Sequence, residues 1–419
     1  MIDHSRHFRN EAREDLSNDW SVERCSEYAQ KVTKECLEGS HVDRSSLGSL
    51  YHGLLGPSVY LRLRLAQYRR IVHDDAPTER KLLFEAHRLV EEAVARETMQ
   101  LQRSSSVRVT LLEGPFVGAK AMEVAVLFAL GDTSRARDHA SDLLAFLSDQ
   151  STQLPVGECE LLYGRAGALQ TVLFLRRELR DQAFGSKEAV QISQDIVTQG
   201  LQPPGSNLPM IWKWHANTYL GAAHGVVGIL QMLLSLTISE RQQIHVTRPL
   251  DELIKDTIGA LDSYCWPESG NLRTSVESSS SKDRLVHWCH GAPGHILLLL
   301  KAYQVYNEPV YLQKASHLAT NVIWPRGLLR KGVGLCHGIS GNAYCLLELA
   351  QFSERDFWTK RAIHFCSFAM EHFDMLKNVP DHPHSIFEGS AGLALLLLDL
   401  GMILHNPHSD HASFPLYSF

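Results

Sequence analysis

The sequence predicts an all-α protein folded as an α/α toroid, a double ring of about fourteen helices formed by seven helical hairpins. Three observations favour this fold. A glycine motif occurs seven times along the chain, each copy precedes an apolar helical stretch, and a second amphipathic segment lies between successive copies. Signals for β-strands are weak throughout, because the apolar residues do not alternate with polar ones.

The repeated motif is a small or polar residue, a glycine, two or three further residues and a second glycine. The first glycines of successive copies are 61, 50, 61, 66, 47 and 51 residues apart. The second copy is irregular and has one extra residue between its glycines. In chain order, copies one to seven are Gly53–Gly56, Gly114–Gly118, Gly164–Gly167, Gly225–Gly228, Gly291–Gly294, Gly338–Gly341 and Gly389–Gly392.

The segments around each copy have helical periodicity. Stretches such as Ile229–Leu236 and Leu393–Leu400 follow a glycine motif, whereas Leu82–Leu101 and Phe357–Phe373 lie between motifs. Two glycines three residues apart allow a sharp turn and close packing, so each motif is predicted to open an inner helix. Seven such helices close naturally into a ring. The alternative is an open solenoid, which needs polar capping repeats that the terminal copies do not resemble.

Composition and charge exclude several classes of protein. With 44% hydrophobic and 21% charged residues, the chain is typical of a globular protein. Because the repeat runs through the chain, we expect one domain over residues 1–419, with residues 1–45 as a peripheral N-terminal segment. A net charge of −6 without a basic block argues against nucleic-acid binding. The apolar runs are too short to span a membrane, and the N-terminus lacks an apolar signal core, so a cytoplasmic location is expected.

The chemically informative residues lie in copies four to six. If the glycine turns gather at one end of the ring, the positive ends of the helix dipoles face one cavity and favour anions there. Copies four to six place His224, Cys289-His290 and Cys336-His337 at that end. Two thiolates and one imidazole suit Zn²⁺, and three protein ligands leave the fourth position open, as in catalytic sites. Motif spacing alone leaves both His290 and His337 as candidates for the third ligand.

These motifs carry a family resemblance. The segments Trp288–Gly294, Gly334–Gly338 and Gly221–Gly225 resemble the LanC-like proteins of eukaryotes, which are relatives of the bacterial lanthionine cyclases. The resemblance extends over nearly the whole chain and is weakest in the first 120 residues. It implies an α/α toroid with Zn²⁺ held by Cys289, Cys336 and His337.

The resemblance also implies an activity. Bacterial members add a cysteine thiol to a dehydrated serine or threonine, whereas eukaryotic members bind glutathione and are thought to add it to dehydroalanine or dehydrobutyrine in proteins. The leading hypothesis is therefore a zinc-dependent glutathione transferase that forms a thioether. Its expected partners are glutathione and peptides or proteins that contain dehydroamino acids, with a protein kinase as a further candidate. Peripheral association with the plasma membrane is a further expectation.

Five residues receive roles within this hypothesis. His224 is the candidate acid that protonates the α-carbon of the enolate, and the alternative is a histidine that caps a helix. Glu160 aligns with an acidic residue near the active site of the bacterial cyclases, and Lys331 matches a glutathione-binding lysine of the family. Arg165 is predicted either to bind an anionic group or to cap a neighbouring helix. Asp381 lies in the segment that matches the glutathione-binding segment of the family.

One position departs from the family pattern. The segment that precedes copy seven has Asn378 where relatives have arginine. Loss of that cation would weaken a carboxylate clamp by roughly 1–3 kcal/mol. Asn378 therefore favours the alternative hypothesis of a non-catalytic, zinc- and glutathione-binding adaptor or signalling protein. A toroidal glycosidase with paired carboxylates is a third hypothesis, but it does not explain the cysteines.

Overall fold

The computed structural model describes residues 2–11, 20–39, 47–103, 107–278, 282–408 and 413–419. These residues are mainly helical and contain isolated β-bridges without extended strands. Short 3₁₀ segments at His4–Arg6 and Leu261–Tyr264 and π-helical turns at Gly56–Tyr60 and Ala319–Ile323 supplement the α-helices. The α-helices are α1 Val22–Gly39, α2 Leu61–His73, α3 Ala76–Leu101, α4 Pro115–Ala129, α5 Thr133–Thr152, α6 Arg165–Leu179, α7 Ser186–Gly200, α8 Val226–Leu234, α9 Ile238–Gln243, α10 Leu250–Ala260, α11 Ala292–Tyr306, α12 Pro309–Leu318, α13 Trp324–Arg326, α14 Ile339–Leu349, α15 Arg355–Glu371, α16 Phe373–Leu376 and α17 Ser390–His405.

The helices form two concentric layers. The inner layer contains α2, α4, α6, α8, α11, α14 and α17. These helices are mostly buried, as with Leu393–Leu398 in α17, except for α2, whose last turn is partly exposed. Outer helices are amphipathic. In α3, for example, Leu83, Ala86, Val90 and Ala93 are buried at three- and four-residue spacing. This division matches the sequence prediction, because a helix that is apolar all round needs partners on every side.

Inner helices begin directly after the first glycine of copies two to seven, and in copy one a π-helical turn comes first. The second glycine then allows the helix to approach the turn that precedes it. At Gly341, a Cβ atom would lie 1.9 Å from the carbonyl oxygen of Leu335. No side chain fits at that distance without movement of the backbone, which explains why the motif requires glycine here.

Contacts between the glycine turns close the ring. Copies two and three are joined where Thr110 Oγ1 donates to Leu162 O at 2.7 Å, and copies four and five approach so closely that a Cβ on Gly221 would lie 2.0 Å from Cys289 O. Each of the other five pairs of neighbouring copies is joined by a backbone hydrogen bond. In ring order from the contact of copies one and two, these are Tyr51 N–Leu112 O (3.0 Å), Leu161 N–Ala223 O (3.3 Å), Trp288 N–Cys336 O (2.9 Å), Cys336 N–Phe387 O (2.7 Å) and Phe387 N–Tyr51 O (3.2 Å). The last of these joins copy seven to copy one. The predicted toroid is thereby confirmed, and the open solenoid is excluded.

The described part of the N-terminal segment packs into the toroid, whereas the sequence suggested a peripheral position. Helix α1 lies against α17 and is the outer partner of this inner helix. Cys25 and Cys36 of α1 are fully buried, and Cys36 Sγ lies 3.1 Å from Ser390 Oγ at the start of α17. Residues 1, 12–19 and 40–45 of this segment lie outside the described ranges. A single domain over residues 1–419 stays a prediction.

None of the helices in the described ranges combines the length and the apolar character that a membrane crossing requires.

Gly341→Ala is expected to destabilise the fold by roughly 2–4 kcal/mol, because the new methyl group would collide with a backbone carbonyl that cannot rotate away. The check is the midpoint of thermal unfolding, which should fall by several degrees. Gly259 in α10 is the matched control, since a Cβ there would meet nothing within 4 Å. Gly259→Ala should leave the midpoint unchanged or raise it slightly through higher helix propensity. Equal midpoints for the two variants would contradict this account of the motif.

A buried carboxyl group makes the stability of the fold depend on pH. Glu348 accepts hydrogen bonds from Phe414 N at 2.5 Å and from Ser418 Oγ at 2.6 Å, and burial raises its pKa from 4.5 to about 7. Between pH 4.5 and about pH 7, Glu348 is mainly protonated in the folded state and mainly ionised in the unfolded state. The free energy of unfolding therefore falls as pH rises through this range. Glu348→Gln keeps an acceptor oxygen but cannot ionise. We expect its stability relative to the wild type to increase by roughly 2 kcal/mol between pH 5 and pH 8.

Denaturant unfolding at both pH values measures this difference. The exposed Glu371 offers a control, since Glu371→Gln makes the same chemical change outside the core. A Glu348→Gln offset that does not change with pH would contradict the prediction.

Candidate active site

Two cysteines and a histidine meet at the ring mouth, which is the end of the toroid where the seven glycine turns gather. Cys289 precedes α11, and Cys336 and His337 precede α14. Their ligand atoms lie within 4.8 Å of one another. The hydrogen bond from Trp288 N to Cys336 O, 2.9 Å long, fixes the relative position of the two turns.

The donor set fits a divalent metal ion that prefers sulfur and nitrogen. Two thiols with one imidazole are typical Zn²⁺ ligands, and their separation suits tetrahedral coordination after small shifts. Burial and the adjacent Cys289 thiol raise the pKa of Cys336 well above its ordinary value. A bound cation would offset both effects, since it favours the thiolate form.

The cluster distinguishes the two histidines that motif spacing left equivalent. His337 joins the cysteines, whereas His290 does not. The His290 ring lies 5.8 Å from the ring of Tyr219, and burial lowers its pKa to about 4, so it is neutral at pH 7. His290 therefore forms a wall of the site. Trp288 belongs to the core instead, where it is fully buried against Phe387, Phe414 and Tyr417.

Tyr51 is a site residue that the sequence analysis missed. Its hydroxyl group donates a hydrogen bond to Cys336 Sγ at 2.7 Å, and its ring stacks on Phe387 with centroids 4.6 Å apart. The motif contained a signal for this position. Tyr51 lies two residues before Gly53, as Cys289 lies two residues before Gly291 and Cys336 two before Gly338. Residues at that position of the motif point towards a common centre.

His224 and Glu160 form a dyad beside the cluster. His224 Nδ1 lies 2.7 Å from Glu160 Oε2, and the carboxylate also accepts hydrogen bonds from Leu162 N (2.9 Å) and Tyr163 N. The His224 ring stacks on Trp214 at 4.2 Å with an angle of 3° between the planes. The carboxylate keeps Nδ1 protonated, so Nε2 is the nitrogen available to exchange a proton with a substrate.

The predicted glutathione-binding residues lie on neighbouring loops. Lys331 is exposed on the loop before Cys336, and its charge lowers the pKa of His290. Asn378 and Asp381 are exposed on the segment before copy seven. Pro380 of that segment packs near Gly332, where a Cβ would be 3.2 Å from its Cδ atom. The two loops are therefore adjacent at the ring mouth.

Arg165 contacts a loop of its own chain. Its side chain is buried, and its guanidinium group donates to the carbonyl oxygens of Leu154 (2.8 Å), Pro155 (2.9 Å) and Glu158 (3.1 Å). These contacts hold the loop between α5 and copy three. The guanidinium group is thus directed towards protein carbonyls, and the binding of an anionic group by Arg165 stays a prediction.

Comparison with solved structures defines the class of fold. Nisin cyclase superposes on this chain with a TM-score of 0.62 at 15% sequence identity, over 91% of this chain and 98% of the cyclase. The two proteins therefore share the toroidal fold.

Sequence comparison then gives the family. Residues 44–402 match the model of the lanthionine synthetase C-like proteins, and the chain belongs to this family. A relative named glutathione S-transferase LANCL1, from Danio rerio, is 35% identical over 246 residues, which are 58% of each chain. The LanC-like protein GCL1 of Arabidopsis thaliana is 34% identical over 287 residues, which cover 64% of this chain and 63% of the relative. The matches span about three fifths of the length of these relatives.

Proposed function

We propose that this protein is a zinc-dependent glutathione transferase that adds the glutathione thiol to dehydroalanine or dehydrobutyrine in peptides or proteins. The observation that carries the proposal is the cluster of Cys289, Cys336 and His337 beside the His224–Glu160 dyad. A relative named as a glutathione S-transferase and the fold shared with a cyclase support the same class of reaction.

Cys289, Cys336 and His337 would hold the zinc ion in this proposal. When bound, the ion would lower the pKa of a coordinated thiol and so supply a nucleophilic thiolate at neutral pH. Tyr51 supports this site, because its hydroxyl group donates to Cys336 and stabilises the charge on that sulfur.

The other side chains bind the substrates and transfer the proton. Lys331 pairs with a carboxylate of glutathione, and Asp381 on the adjacent loop accepts from its amino group. The sulfur forms a bond to the β-carbon of the dehydroamino acid, and the electrons of the double bond move into the amide as an enolate. His224 then donates a proton to the α-carbon, and Glu160 stabilises the imidazolium before transfer. The proton lost by the thiol returns to the imidazole through solvent.

Asn378 is the observation that favours a second candidate function. A neutral amide on the loop beside Lys331 gives a weaker clamp for the second glutathione carboxylate than a cation does. A protein that binds zinc and glutathione without turnover would be an adaptor or signalling protein.

An assay of adduct formation tests the proposal against this alternative. Purified protein of measured zinc content is incubated with glutathione and a dehydroalanine peptide, and the adduct is followed by mass. We expect formation above the uncatalysed rate that is lost on chelation and restored by zinc. One zinc ion per chain without any such adduct would overturn the proposal and favour the adaptor.

A further inference from the structure

We propose that His52 and Glu113 form a second proton-transfer dyad at the ring mouth, across the metal-ligand cluster from His224 and Glu160. The two dyads would protonate the α-carbon of the enolate from opposite faces. This inference rests on the proposed function, and it adds a catalytic residue in copy one of the repeat.

The two dyads have similar distances between the histidine nitrogen and the carboxylate oxygen, although Glu160 accepts backbone hydrogen bonds and Glu113 instead lies 3.6 Å from the guanidinium group of Arg108. His52 Nδ1 lies 2.6 Å from Glu113 Oε1, and the corresponding distance from His224 Nδ1 to Glu160 Oε2 is 2.7 Å. In each dyad the carboxylate is buried and the histidine is partly open, with 39% of the His52 side chain exposed against 2% for Glu113. The buried carboxylate therefore orients Nδ1, and the edge of the imidazole that carries Nε2 is directed towards the ring mouth.

His52 occupies the same position of the glycine motif as His224. His52 directly precedes Gly53, as His224 directly precedes Gly225. Since the turns contact one another around the closed ring, both side chains lie at the mouth. Glu113, from the irregular second copy, directly precedes Gly114.

The copies that carry the two histidines both contact residues of the metal-ligand cluster. Copy four, with His224, is packed against copy five, where Gly221 approaches Cys289 O. Copy one reaches the cluster from the other direction through Tyr51, which is adjacent to His52 and donates to Cys336 Sγ at 2.7 Å. A substrate held at the cluster therefore has one dyad on either side.

The charges around His52 favour its protonated form. The hydrogen bond to Glu113 raises the pKa of His52, and the charges of Glu113 and Glu388 add to this effect. Partial burial and the charge of Arg108 oppose it, while the ring of His382 lies 4.7 Å away. A protonated imidazole at the mouth is a competent general acid.

The proton balance is the same for both dyads. The sulfur of glutathione bonds to the β-carbon, the double-bond electrons form the enolate, and the imidazolium of His52 gives its Nε2 proton to the α-carbon. The thiol proton released to solvent restores the imidazolium. The face that receives the proton fixes the configuration at the α-carbon, so each dyad produces one diastereomer of the adduct.

The experiment measures the diastereomer ratio of the glutathione adduct by chromatography and mass spectrometry, after subtraction of the Cys336→Ala background. We expect two diastereomers from the wild type. His52→Asn should change the ratio severalfold towards one of them, and His224→Gln should change it towards the other. Zinc content equal to that of the wild type shows that the His52→Asn variant is folded.

A second histidine–carboxylate pair provides the matched control. His139 Nδ1 lies 2.8 Å from Glu123 Oε2 between α4 and α5, away from the glycine turns. His139→Asn should leave the ratio unchanged. An unchanged ratio in His52→Asn, with metal-dependent adduct still formed, would overturn this inference alone. Absence of metal-dependent adduct from the wild type would overturn the proposed function together with it.

A titration without substrate tests the dyad independently of turnover. The His52 ring resonance, assigned by its loss in His52→Asn, should titrate above the ordinary range for histidine. Glu113→Gln should lower that pKa, because it removes the hydrogen-bonded carboxylate and its charge. An identical titration in the two proteins would contradict the dyad.

Discussion

Cys336→Ala is expected to abolish zinc binding and to reduce adduct formation to the uncatalysed rate. Cys336 lies at the centre of the site, since its sulfur belongs to the three-ligand cluster and also accepts the hydrogen bond of Tyr51. Two remaining ligands hold zinc much less tightly than three, because one strong sulfur bond and one negative charge are lost. Metal analysis of the purified variant and the mass-based adduct assay measure the two effects.

Cys265 provides the matched control for this substitution. It is a partly buried free thiol that does not belong to the metal-ligand cluster. Cys265→Ala should retain one zinc ion per chain and full activity. A Cys336→Ala variant with wild-type activity would contradict the assignment of the site.

His224→Gln is expected to slow formation of the adduct diastereomer that depends on His224 by about 10²–10⁴-fold while zinc binding is retained. Glutamine can still lie against Trp214 and accept or donate hydrogen bonds, but it cannot deliver a proton to the enolate carbon. The wild-type ring is oriented by Glu160 and by the stacked indole, so the loss concerns proton transfer and not the position of the loop. Single-turnover rates at saturating glutathione separate this step from binding.

The exposed His245 serves as the control for a histidine outside the mouth. His245→Gln should leave the single-turnover rate unchanged. A His224→Gln variant with the wild-type rate would remove His224 from the reaction. A variant without zinc would instead show that the dyad supports the metal-ligand cluster.

The fold could be predicted from sequence because its signal is repeated. Seven glycine motifs fix both the helix starts and the number of hairpins, and the clash at Gly341 shows why each copy keeps a small residue. The packing of α1 against α17 had no comparable signal, because these segments are separated by most of the chain. Periodicity identifies an amphipathic helix, but it does not identify the distant helix that covers its apolar face.

The candidate site was predictable to the extent that its chemistry is unusual. Cysteine next to histidine in two equivalent turns indicates a metal site, and the structure places Cys289, Cys336 and His337 together. The roles of Tyr51 and Arg165 were harder to predict from the sequence. A tyrosine before a glycine turn is common in protein cores, and the role of Arg165 depends on three backbone carbonyls, which any sequence provides. Only the folded loop shows where such groups point.

In the proposed reaction, a metal ion held by Cys289, Cys336 and His337 would bind the thiol of glutathione. Absorption spectroscopy of the cobalt-substituted protein measures this binding, because each thiolate bound to cobalt contributes to a charge-transfer band in the near ultraviolet. Glutathione should increase the intensity of this band by about half, as a third thiolate joins two, whereas S-methylglutathione should not. A spectrum that glutathione leaves unchanged, at concentrations where adduct forms, would contradict the claim.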